Sequence, residues 1–132
     1  FIAISFYPFL KNLSSKTEFQ EAFDFLHSNT NLPIAFVETA YIAEDLVIPN
    51  LNISIDGNEN DQNNYLQTLI ENAENQDYEF IIWWVHRDYD ALWETFPDEV
   101  KDLGQIWRDT GLLDENGMER PAFFTWSNKL GE

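Results

Sequence analysis

Glu38 closes an apolar run. Residues 31–41 read NLPIAFVETAY, so four apolar side chains, Ile34 to Val37, are followed at once by a carboxylate. An unpaired carboxylate in apolar surroundings is costly. Glu38 is therefore either a solvated residue just past a strand end or a group held at the strand tip for chemistry. Two other apolar runs end on groups that could work beside it: FIAISFYP on the phenol of Tyr7, and EFIIWWVH on the indole of Trp84 and the imidazole of His86. A carboxylate can attack or move a proton. An indole offers a flat apolar face to the C–H groups of a sugar, with its N–H left for a hydroxyl. A carboxylate, a phenol and an indole converging on one rim would make a sugar site.

The elements that must position these groups follow from periodicity. Residues 1–8 read as a strand bounded by Pro8. Ser15 and Glu18 have capping-box spacing, and Phe19, Ala22, Phe23 and Leu26 then share one helical face. PIAFVE is a second strand. The segment from Asn50 to Asn60 is too rich in Asn, Asp and Gly to be assigned regular structure. Tyr65, Leu66, Leu69, Ile70 and Ala73 form a helical stripe, residues 79–86 a third strand, and residues 97–109 a last helix. That helix has Pro97 near its start, Val100, Leu103, Ile106 and Trp107 facing inward, and Gly111 as its stop. Three strands, each apolar almost throughout, alternate with helices. This pattern predicts an α/β fold of parallel strands covered on both faces, with reactive groups at their carboxyl ends.

Composition narrows the partners. The 132 residues carry a net charge of -17 with only seven Lys and Arg. Nucleic acid binding needs cations to replace phosphate counterions, and an anionic membrane surface repels such a chain; neither partner is expected. Neutral ligands such as sugars meet no such penalty. No run of 18 apolar residues is present. The absence of cysteine excludes disulfides and thiolate metal sites. The first strand is followed by YPFLKNLSS, without a glycine, which disfavours a flavodoxin-like phosphate site. No cofactor is expected.

Five motifs, ISFYPF, PIAFVETAY, DQNNYLQTLIENA, IIWW and GLLDENGMERPAF, occur in an order that resembles the C-terminal part of glycoside hydrolase family 53. These are endo-β-1,4-galactanases of the large clan of retaining (β/α)8-barrel glycosidases. The resemblance implies that residues 1–132 are strands six to eight of a TIM barrel with their helices. Glu38 then falls where the family has its nucleophile, Tyr7 beside it, and Trp84 where a tryptophan floors a sugar subsite. Tyr41, at the end of the VETAY motif, and His86 complete the expected substrate-binding residues. The general acid/base of the family has no counterpart here and is expected upstream of Phe1. The fragment is accordingly expected to be inactive alone and to need the missing half of the barrel or a partner chain. WWVHRDYD departs from the family's strand-eight end, where a Trp-Glu-Pro segment is usual. Another β-glycan therefore stays open as substrate, as does a noncatalytic carbohydrate-binding relative. The compartment is left open too, although a secreted or periplasmic location would suit an acidic, cysteine-free glycosidase.

Plainer roles stand beside these. Tyr7 could be a core tyrosine, and His86 a structural rim residue. Trp83 and Trp84 point to opposite faces of their strand, so only one can face a ligand, and Trp84 is the expected one. Asp56, Asn58 and Asn60 have the alternate spacing of a calcium loop, but Asp61 and Gln67 stand where an EF-hand has Gly and Glu. A loop capping the next helix is the expected reading, and no metal site is assigned.

Overall fold

A computed structural model describes residues 1–131. Three parallel strands form the main sheet, β1 (Ile2–Phe6), β2 (Ile34–Thr39) and β5 (Phe80–Trp83), in the order β1-β2-β5. β1 leads to β2 through α1 (Lys16–Asn29), and β2 leads to β5 through α2 (Glu59–Asn75).

The capping box read from Ser15 and Glu18 starts α1. The Ser15 hydroxyl accepts the Glu18 N–H at 3.3 Å, and the Glu18 carboxylate accepts the Ser15 N–H at 2.9 Å. Asn58 does the same service for α2, accepting the Asp61 N–H at 2.9 Å. This is the capping role expected of the Asn-rich loop.

Both helices lie on one side of the sheet. Phe19 and Phe23 of α1 and Tyr65, Leu66 and Leu69 of α2 are buried there with Ile34 and Phe36 of β2. The stacked rings of Phe23 and Tyr65, 6.2 Å apart, join the two helices, and Tyr65 also packs on Trp83 at 6.1 Å. The opposite face is open: Ala3 and Ser5 of β1 are exposed, as are Phe80 and Ile82 of β5. Strands expected to be covered on both faces are thus covered on one among the described residues. The near-continuous apolar character of β2 and β5 suits a second layer that these residues do not supply.

Several elements differ from expectation. A hairpin, β3 (Leu46–Ile48) with β4 (Ile53–Ile55), enters the segment read as irregular, because Leu46 and Ile48 bury their side chains on one face. The third strand is shorter than expected. Beyond it come α3 (Asp90–Trp93) and α4 (Asp98–Gln105), which ends well before residue 109. Val100 and Leu103 are exposed while Ile106 is buried. The chain leaves the helix at Gln105, so the expected stripe never lies on a single face. Gly104 packs where a Cβ would meet the Phe96 ring at 2.7 Å. The last helix, α5 (Pro121–Leu130), has no counterpart among the expected elements and packs along α2.

Candidate functional site

Glu38 reaches the open face through a break in register. Ile4 of β1 stands opposite Phe36, but the next residue, Ser5, stands opposite Glu38, and Phe6 opposite Thr39. Two residues of β2, Val37 and Glu38, therefore face one of β1, and the pairing of β2 with β5 shifts over the same residues. Strict alternation from the inward-facing Phe36 would have turned Glu38 toward the helices. The extra residue instead turns Glu38 outward and turns Thr39 inward. There the Thr39 hydroxyl lies 2.6 Å from the Tyr65 hydroxyl and donates to the Phe6 carbonyl at 2.7 Å.

Each carboxylate oxygen of Glu38 has a donor from β1 or the residue after it. The Tyr7 hydroxyl donates to Oε1, and the Ser5 hydroxyl to Oε2 at 3.3 Å. Tyr7 is half-buried, its ring packed against Phe9 and Trp107 at centroid distances of 6.0 and 5.7 Å. Burial pushes its phenol well above the usual range, and the neighbouring Glu38 carboxylate pushes it further. Tyr7 therefore serves as a standing donor and not as a base.

Trp84 and Trp83 divide as their alternation predicts. Trp83 is 8% exposed, and its indole donates to the Thr110 carbonyl at 3.1 Å. Trp84 is 43% exposed, and its backbone N–H donates to the carbonyl of Thr39, the neighbour of Glu38, at 2.8 Å. His86 is exposed; its carbonyl accepts the Leu113 N–H, and its ring makes no hydrogen bond to a described residue.

Tyr41 corrects an expectation. It was expected to bind substrate, but it is 1% exposed. Its ring packs on Phe9, Phe19 and Tyr65, and its hydroxyl donates to the Leu13 carbonyl at 2.9 Å. After Thr39 the chain dives over the ends of α1 and α2, where an aromatic ring fills the core. Burial pushes the Tyr41 phenol up to about 12.

Two features escaped sequence reasoning. One is Ser5, which lacked any signal beyond its position two residues before Tyr7. The other is Arg120, 1% exposed in an acidic chain. Its guanidinium pairs with Asp88 and Glu44 at 2.8 Å each and with Glu59 at 3.4 Å, and it donates to the Gly111 carbonyl at 3.1 Å. Asp88 in turn accepts the Gly111 N–H at 2.7 Å. A Cβ on Gly111 would lie 2.5 Å from the Asp88 carboxylate, so this approach needs glycine. These contacts lock the segment after β5 and the start of α5 to the loop after β2, setting the rim around the site. Two acidic groups have metal-compatible spacing, Glu44 with Asp88 and Glu115, and Asp88 with Asp90 and Asp109. Both share Asp88, which Arg120 already engages.

No family model matches the chain, and no curated protein matches it by sequence. Solved structures do. A β-glucuronidase of Bifidobacterium dentium, complexed with coumarin-3-O-glucuronide, superposes with a TM-score of 0.66 and 13% identity. The match covers 98% of this chain and 20% of that one. A β-glucuronidase of Ruminococcus gnavus matches with a TM-score of 0.59 and 14% identity, over 99% of this chain and 22% of its own. A β-1,3-glucanosyltransferase of Rhizomucor miehei, in complex with laminaritriose, gives 0.59 and 10%, over 91% and 41%. The chain shares the fold of a segment of large glycosidases. It spans about a fifth of the length of the glucuronidases it matches.

Proposed function

We propose that these residues are the last three βα units of a retaining (β/α)8-barrel glycoside hydrolase, with β1, β2 and β5 as strands six, seven and eight. The observation that carries the reading is Glu38 itself: a carboxylate turned outward at the carboxyl end of the central parallel strand, with a hydroxyl donor on each oxygen. A nucleophile must present its oxygens in a fixed direction, and these donors hold both of them. A retaining glycosidase pairs its nucleophile with a second carboxyl group about 5–5.5 Å away. In this reading the second group, the general acid/base, comes from outside these residues. Glu38 attacks the anomeric carbon, the acid protonates the departing oxygen, and water then releases the sugar from Glu38. Trp84, exposed beside this strand end, offers its ring to the sugar's C–H face.

The rest of the surface supports a larger assembly. The edges of β1 and β5 carry no partner strand among the described residues. Apolar clefts flank them, one lined by Ile4, Phe6, Phe25 and Leu26, the other by Ile70, Ile81, Trp126 and Leu130. Further βα units would cover both and fill the open face. The net charge favours a neutral β-glycan, and the motifs, which resemble those of endo-β-1,4-galactanases, suit an arabinogalactan-type polymer. Replacing Glu38 by Gln in the full-length protein is the test: hydrolysis of such glycans should be abolished while oligosaccharide binding persists. Unaltered hydrolysis would refute it, and binding without hydrolysis in the wild type would favour a noncatalytic carbohydrate-binding protein.

A further inference from the structure

We infer that Ser5 is a second positioning residue for Glu38, and that the register break at Val37 exists to bring the two together; this rests on the reading of Glu38 as nucleophile. A carboxylate held at one oxygen can still pivot about that contact, so its other oxygen sweeps an arc. A second donor on the other oxygen fixes the plane of the group. Tyr7 holds Oε1 and Ser5 lies 3.3 Å from Oε2, so the two donors together supply that constraint. Their placement is a property of the sheet. Ser5 and Tyr7 are two residues apart, and alternation puts both on the face to which Glu38 is turned.

The contact depends on the extra residue in β2. In uniform register Val37 would stand opposite Ser5, and the serine hydroxyl would meet an isopropyl group. With Val37 doubled up, Ser5 has the carboxylate across from it. Ser5 is exposed, and its hydroxyl makes no other hydrogen bond to a described residue, so among these residues Glu38 is its one partner. Orientation of a reacting group acts on the chemical step more than on binding.

The experiment compares Ser5→Ala and Ser5→Thr with wild type in the full-length protein, by two readouts. The first is steady-state hydrolysis of a β-glycan by the active wild type. Ser5→Ala should lower kcat about tenfold with KM within about twofold, and Ser5→Thr, which keeps the hydroxyl, should restore most of the rate. The second is the Cζ resonance of Tyr7 in protein labelled with carbon-13 at that atom, which follows the hydrogen bond to Glu38. Ser5→Ala should shift it, because a carboxylate freed on one side no longer accepts from Tyr7 in one fixed geometry, and Ser5→Thr should shift it back. An unchanged kcat together with an unmoved resonance would overturn the inference. If the wild type cleaves no glycan, the hydrolase reading fails by itself and the resonance decides alone: moved by Ser5→Ala and restored by Ser5→Thr, the positioning stands; unmoved, it falls.

Discussion

The hydroxyl of Tyr7 donates to Glu38 across the seam between β1 and β2, joining two strand ends that are 31 residues apart in the chain. Replacing Tyr7 by Phe removes this donor but keeps the ring on Phe9 and Trp107. If the full-length protein hydrolyses glycans as proposed, kcat should fall by about 10- to 100-fold, the scale of a hydrogen bond to a charged group. The unfolding free energy should fall by no more than about 3 kcal/mol. Steady-state kinetics and denaturant titration check both; a large loss of stability with an unchanged kcat would make Tyr7 a core residue only.

Neighbouring tryptophans should respond in opposite ways. Trp83 is buried against Tyr65 and donates to Thr110, so Trp83→Ala should cost about 3–5 kcal/mol of stability. Trp84 is 43% exposed, and Trp84→Ala should cost under about 1 kcal/mol while weakening oligosaccharide binding by the full-length protein. Chemical denaturation and substrate titration of the two variants separate the roles. The reverse ranking of stabilities would exchange them.

Asp88 sets a pH dependence of stability. Its side chain is fully buried, and burial raises its pKa to about 7 even though Arg120 and the Gly111 N–H pull the other way. A free aspartate has a pKa near 3.9. Between about pH 4 and pH 7 the folded state therefore holds a proton that the unfolded state has lost. The stabilisation this gives is fully present below about pH 4 and is lost as pH rises through about 7. The melting temperature should therefore rise from pH 8 to pH 6, and Asp88→Asn should flatten that slope. Relief of charge repulsion in this acidic chain acts in the same direction, so the difference between variant and wild type is the quantity to measure. Parallel slopes in the two proteins would contradict the assignment.

What the sequence made legible was local. The capping box at Ser15 and Glu18 and the stripes of Phe19 and Phe23 and of Tyr65 and Leu69 are encoded within one or two helical turns, and they appear as read. Strand alternation separated Trp83 from Trp84 for the same reason. Contacts that depend on how distant segments meet were not legible. Strict alternation along β2 cannot reveal an extra residue at Val37, so Ser5 had no visible partner. Tyr41 follows a strand tip in sequence, and only the path of the chain over α1 and α2 buries it. Arg120 and Asp88 lie 32 positions apart, joined by burial that no spacing announces.

The most direct test of the central claim is chemical rescue at Glu38. In the full-length protein Glu38→Ala should lose hydrolysis of an aryl β-glycoside by several orders of magnitude, having lost the group that attacks the anomeric carbon. Azide fits the space left and can attack in its place, so added azide should restore turnover and give a glycosyl azide of inverted configuration at that carbon. An enzyme that retains activity without Glu38, or one that azide leaves inactive, would contradict its assignment as nucleophile.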